Sequence, residues 1–338
     1  VAISRFRRII RFSRGRRSVP RRPSNRYRDV VLVSLLGGIG IFLLGMLLLT
    51  DGLKGIAGDA LKGILTRFVA GPLSGVAWGA LVTAIVQSST ATTIATVGFV
   101  SAGLLTFTQS IGVVFGANLG TTSTGWIVSQ LGFKVSLGTI APPLVLIGVA
   151  ARLLGRDRWS QAGMCVAGFG LLFVGIDMLQ AGMATLAERV NPADLPRIDG
   201  DAWLTGRLLL IGFGFAMTVV MQSSSAAMTA TLAALAAGAI DFEQAAALSI
   251  GQNVGTTPKA LIASIGGPVA AKRTALAHVL FNVATGAVAL ATLPLLVRAV
   301  AWITGADDAS DQPTELAFFH TAFNLIGVLV FLPIIGPF

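Results

Sequence analysis

The sequence predicts an all-α polytopic membrane protein assembled from two repeats, and three observations predict it. From Phe68 to Phe133 the chain runs for 66 residues without a charge. Further uncharged runs fill 135–151, 159–176, 208–240, 274–297 and 316–338. A polar string inside the longest run, "TAIVQSSTATT" at 83–93, has a counterpart 135 residues later, "VVMQSSSAAMTA" at 219–230. Several of the runs approach or exceed the roughly 20 apolar residues that cross a bilayer as a helix. The 338 residues are only 12% charged, where a soluble domain is about 25%. One water-bounded core cannot absorb so many wholly apolar elements.

The elements follow in order. Residues 1–29 form an arginine-rich arm with eleven arginines against Asp29, which accounts for the whole net charge of +10. Such an arm could bind nucleic acid. Its position directly before the hydrophobic run Val30–Leu49 assigns it instead to holding the N-terminus in the cytoplasm, with lipid headgroups and no nucleic acid as its partners. The run is long and lacks a clear small-residue cleavage site, unlike a removed signal peptide. The first repeat is expected over 30–158 and the second over 159–338.

Several chemistries are excluded early. Cys165 is the only cysteine and His278 and His320 are the only histidines, so neither a disulfide framework nor a zinc site has material to build on. Gly37, Gly38 and Gly40 lack the strand–helix context of a dinucleotide loop. Ser and Thr nucleophiles have no His, Asp or Lys close in sequence to either polar motif to activate them, which argues against an enzyme.

The repeat carries the functional signal. A shift of 135 superposes Gln87 on Gln222, Gly103 on Gly238, Phe107 on Phe242, Gln109 on Gln244 and "GANLGTT" (116–122) on "GQNVGTT" (251–257), without a gap. Upstream, "GIGIFLLGMLLLTDGL" at 38–53 resembles "GFGLLFVGIDMLQAGM" at 168–183. Small polar residues often serve only close helix packing in membranes. Packing alone would be met by Ala, so retention of amides and hydroxyls in both copies points to a shared ligand. Both Gln-Ser-Ser and Asn-x-Gly-Thr-Thr read as helix breaks at membrane depth, since Ser and Thr cap helices and Gly permits an unwound turn. At a break, the second half-helix offers unpaired N–H groups to an anion, and the first offers carbonyls to a sodium ion.

These twin motifs, with "HVLFN" (278–282) and "HTAFN" (320–324), resemble the type II sodium–phosphate cotransporters over roughly residues 35–338. The resemblance implies sodium-coupled symport of inorganic phosphate by alternating access through two inverted-topology repeats, each with a re-entrant hairpin. It places Gln87, Ser88, Ser89 and Thr90 with Gln222, Ser223, Ser224 and Ser225 around the phosphate, and Thr90 stands where the family has a third serine. Asn118 and Asn253 join them as the duplicated amides. Sodium ions, the coupling ions, are expected at unwound carbonyls and at Thr92, Thr93, Thr121, Thr122, Thr256 and Thr257; no other cofactor is expected. The likeness also suggests a homodimer in the cell membrane. The first half reads "APPLVLIG" where the second has its His-x-x-Phe-Asn string.

Crossings counted from the chain favour inversion. One for 31–50, none for a hairpin over 71–105, one for a broken helix at 108–130 and one for 135–153 bring the second copy in from the opposite side. Arg152, Arg156 and Arg158 then lie outside, against the positive-inside tendency, unless 51–70 adds a crossing. Proton relays use intramembrane acids or histidines, and the runs around both motifs hold none, which favours sodium. Asp177 reads as an interhelical partner or a supplementary cation ligand, and Lys259, which could meet an anion but has only Thr124 opposite it in the first copy, as a snorkelling side chain. A symporter of sulfate or a carboxylate, or a non-transporting membrane receptor, remains open at this point.

Overall fold

The computed structural model describes residues 25–335 apart from 136, 189, 191–192, 194, 197–202 and 306–310. The arginine-rich arm therefore lies outside the described residues up to residue 24, and residues 25–29 open the first helix. Twelve α-helices are described: α1 (Asn25–Arg67), α2 (Pro72–Val86), α3 (Ser89–Ser101), α4 (Phe107–Ile127), α5 (Ala141–Leu154), α6 (Asp157–Ala187), α7 (Trp203–Met221), α8 (Ser224–Ala236), α9 (Phe242–Val254), α10 (Thr257–Ala263), α11 (Val269–Thr304) and α12 (Gln312–Phe331). Five helices among the described residues are long and apolar enough to cross a membrane, beginning at Val31, Asp157, Trp203, Val269 and Gln312. The protein is an all-α polytopic membrane protein.

The expected crossing at 31–50 is part of a longer helix. α1 continues through Asp51, Lys54, Asp59 and Lys62 to Arg67. At 1.5 Å per residue it reaches roughly 64 Å, about twice the hydrocarbon thickness of a bilayer. Its second half keeps Leu61 and Leu65 buried against Val82, Val86 and Val100 of the hairpin that follows. No separate element for 51–70 exists.

Glycine decides how the helices meet. Hydrocarbon gives apolar faces no reason to leave lipid, so close backbone packing takes over. In α1, Gly38, Gly45 and Gly52 recur every seven residues on one face, as Gly168, Gly175 and Gly182 do in α6. A Cβ on Gly45 would stand 2.7 Å from the Gly168 carbonyl oxygen, and one on Gly38 3.0 Å from that of Gly175. Rising numbers in α1 meet falling numbers in α6, so these equivalent first helices lie antiparallel and contact each other through equivalent glycines.

The interior of each repeat is built alike. Gly116 of α4 lies against the Val76 carbonyl of α2, where a Cβ would come within 2.1 Å; Gly251 of α9 lies against the Ile211 carbonyl of α7, within 1.9 Å. Residues 116 and 251, and 76 and 211, differ by the same offset of 135. Each pair runs parallel, because its two members are separated by a half-helix that returns the chain.

Both expected hairpins are present, each broken at Gln-Ser-Ser. Gln87 takes the left-handed conformation (φ 56°) that ends α2, and Ser88 caps α3. Gln222 repeats it (φ 53°), and Ser223 caps α8. The expected breaks at Asn-x-Gly-Thr-Thr divide. α9 stops at Val254 and α10 begins at Thr257, but α4 runs without interruption through Asn118–Thr122 and leads into a π-helical stretch at Val128–Lys134. The difference is one residue: Pro258 has no N–H to continue the helical ladder, whereas Ser123 holds the equivalent place in the first copy.

Candidate functional site

The two Gln-Ser-Ser turns have matching local geometry. The Ser88 hydroxyl accepts from the Ala91 N–H at 3.2 Å, and the Ser223 hydroxyl from Ala226 at 3.1 Å. A cap side chain satisfies one of the four N–H groups that a helix start leaves open. The remaining first-turn donors belong to the segments carrying Ser89, Thr90, Ser224 and Ser225. Placing a left-handed glutamine immediately before the cap turns the chain sharply, leaving the capping serines half-buried.

Hydrogen bonds join the two turns. The Gln87 Nε2 donates to the Ser123 hydroxyl at 2.9 Å, and the Thr124 hydroxyl donates to Gln87 Oε1 at 2.9 Å. Thr124 also stands 3.1 Å from the Ser225 hydroxyl of the other repeat. The first hairpin's glutamine is thus clamped to α4, and through Thr124 to the start of α8. On the second side, the Lys259 ammonium donates to the main-chain carbonyl of Gln222. Ser123, Thr124 and Lys259 were not among the expected ligand residues, although Thr124 and Lys259 occupy the same place in the two copies.

A small cavity of about 10 Å³ lies beside these turns, lined by Ser89, Thr90, Thr93 and Ile94 of α3, by Thr256, Lys259 and Ala260, and by His278 of α11. That is room for a single water. Lys259 is its only charged lining residue. His278 is 4% exposed, and its Nδ1 has no partner among the described residues. Lys259 is half-buried, and its ammonium meets the Gln222 main-chain carbonyl at the second hairpin break.

The expected residues fall into two groups. Ser89, Thr90, Thr93 and Thr256 share the cavity, while Gln87, Gln222 and Ser225 hold or adjoin its framework. Ser88 and Ser223 are committed to capping. Ser224 opens α8 beside Ser223. The others sit along their helices: Thr121 donates to Ala117 at 2.8 Å, Thr122 to Leu119 at 2.7 Å and Thr257 to Val254 at 2.9 Å. Thr256 donates in the same way to Asn253 at 2.7 Å, and Thr92 is bonded to Thr83 at 2.9 Å. Asn118 donates back to Val114 at 3.1 Å, and Asn253 reaches across to Asn324 of α12 at 3.2 Å. Asp177 lies away from the cavity, with its carboxylate against Gly138. His320 is buried beside Phe323, their ring centroids 5.4 Å apart.

Comparison with known proteins places this geometry in context. The profile described as "Na+/Pi-cotransporter" matches residues 41–181 and 197–310. YqeW of Bacillus subtilis strain 168, whose name assigns it no activity, is 32% identical over 91% of this chain and 96% of its own length. YjbB of Escherichia coli strain K12, named as a candidate inorganic phosphate export protein, is 30% identical over 91% of this chain and 54% of its own length. The human sodium-dependent phosphate transport protein 2B is 32% identical over 61% of this chain and 30% of its own length. The chain thus spans nearly all of the first relative and about half of the second. No solved structure matches it.

Proposed function

The chain belongs to the Na+/Pi-cotransporter family, and on that footing we propose that it carries inorganic phosphate across the membrane together with sodium, by alternating access. The observation that carries the proposal is the pair of capped half-helix starts, α3 and α8, brought together by the Gln87–Thr124–Ser225 chain of hydrogen bonds. Their unpaired N–H groups and dipole ends suit an anion. Ser89, Thr90 and Ser224 add hydroxyl donors, Ser225 giving its own proton to Thr124, and the oxygens of Thr93 and Thr256 are the expected sodium ligands that share the cavity.

Phosphate does not fit in a space of about 10 Å³, so on this reading substrate binding widens the space between the hairpins. The antiparallel α1–α6 pair suits that motion. An axis relating antiparallel spanning helices through matching glycines lies in the membrane plane, which is the arrangement of inverted repeats. Rocking one repeat against the other would open the site to each side in turn. On this reading the protein is a carrier, not an enzyme, with its arginine-rich arm in the cytoplasm.

Purified protein in liposomes tests the proposal. Phosphate uptake should follow an inward sodium gradient, vanish when choline replaces sodium, and resist competition by sulfate. Efflux from phosphate-loaded vesicles under the reversed gradient should occur at a comparable rate, because coupling fixes the partners and not the direction. Gradient-independent uptake, or equal competition by sulfate, would reject sodium–phosphate symport.

A further inference from the structure

We infer that Lys259 is a tethered cation of the anion site, contacting phosphate directly and taking the place of one sodium ion in its charge balance. The inference rests on the phosphate reading above and adds a residue to which neither repeat motif points.

Pseudo-symmetry supplies the first argument. Thr124 in the first copy and Lys259 in the second are separated by 135 residues. Thr124 bonds the glutamine of its own hairpin and reaches Ser225 at the start of the other repeat's half-helix. Lys259 likewise bonds Gln222 of its own hairpin and shares a cavity with Ser89 and Thr90, the start of the other half-helix. The two positions therefore do the same thing across the interface, but one presents a hydroxyl and the other an ammonium.

Charge supplies the second. An isolated ammonium against apolar helices is costly unless an acceptor answers it. Lys259 has one carbonyl acceptor, and no acidic side chain lines the cavity. An ammonium carries three donors, so two remain for a ligand. Two half-helix ends contribute about half a charge each, and with one ammonium they offset a phosphate dianion. Ser89, Thr90, Thr93 and Thr256 place hydroxyl-bearing side chains around the same cavity as Lys259, with His278 beside them.

Phosphate binding to detergent-solubilised protein, measured across a range of sodium concentrations at constant ionic strength, tests the inference. Lys259→Gln should weaken phosphate binding about tenfold or more, the scale of a lost charge-assisted hydrogen bond. The slope of log affinity against log sodium concentration should rise by about one, because a further sodium ion must accompany the anion. Lys259→Arg should retain the wild-type slope. Weaker binding with an unchanged slope would reduce Lys259 to a support for the Gln222 carbonyl and overturn the inference, as would unaltered binding. Wild-type protein that binds no phosphate would instead remove the reading on which it rests. Should the glutamine variant fail to fold, chemical protection in the wild type decides. Phosphate should slow modification of Lys259 by an amine-reactive reagent, leaving exposed Lys54 and Lys272 unaffected; absence of protection overturns the inference.

Discussion

At the scale of residues, hydroxyls with free donors are separable from hydroxyls engaged in structure. Ser88 and Ser223 close helix starts, so their loss should be felt in folding, at about 1 kcal/mol each. Ser89 and Ser224 follow the caps and make no side-chain hydrogen bond among the described residues. Ser89→Ala and Ser224→Ala are therefore expected to leave membrane abundance and melting temperature unchanged while raising the phosphate concentration for half-maximal uptake about tenfold. Parallel uptake assays and detergent melts check this; normal uptake by both variants would return these serines to a packing role. The helix breaks were legible in the sequence because Ser favours a helix start and its recurrence after a glutamine marked the turn twice, whereas which serine caps and which stays free was set by the fold. Lys259 was not legible in that way. Its acceptor, the Gln222 carbonyl, is 37 residues away, and only the fold brings the unpaired oxygen to it. Distance in sequence likewise hid that Lys259 and His278 share a cavity with Ser89.

At the scale of elements, the duplicated sequence specifies the hairpins and the parallel α2–α4 and α7–α9 pairs, but treats the two Asn-x-Gly-Thr-Thr segments as alike. Pro258 against Ser123 separates them. The proline ends one helix, and the serine lets the other continue while its hydroxyl oxygen accepts from Gln87 Nε2. The second half of α1 was also hidden. The sequence left open a separate crossing over 51–70, whereas its four charged residues between 51 and 62 lie within the continuous α1. Glycine contacts are the element-scale feature that mutation tests most directly. Gly116→Ala or Gly251→Ala puts a methyl group within 2.1 or 1.9 Å of a main-chain oxygen, and rigid backbone cannot yield as a side-chain tip can. Each should destabilise the protein by about 1–3 kcal/mol, the usual cost of overpacking. Gly212→Ala on α7, where nothing lies within 4 Å, is the matched control. It should be neutral or stabilising by up to about 1 kcal/mol, since Ala restricts the unfolded chain. Thermal melts in detergent compare the three; an intact Gly116→Ala protein would show that α2 and α4 can separate at little cost.

At the scale of the whole molecule, the two repeats meet along the α1–α6 glycine seam and around the paired hairpin turns. The seam joins equivalent glycines and suits a pivot. The cavity beside the first turn has room for one water. Thr124 of α4 and Ser225 of α8 bridge the two hairpins, their hydroxyl oxygens 3.1 Å apart, and paired cysteines there are the test of whether the hairpins part. Cys165 is the sole native cysteine and packs against Gly52 of α1, so it can be replaced by Ala to give a clean background. In that background Thr124→Cys with Ser225→Cys should form a disulfide under mild oxidation. Phosphate uptake in liposomes should then fall to background and return on reduction, with each single-cysteine variant unaffected by oxidant. The expectation follows from the proposed motion: a covalent link between α4 and α8 holds together the two hairpins that the transport reading requires to part. Uptake that persists in the fully cross-linked protein would mean that α4 and α8 stay together during transport, and would move the substrate path away from the turns.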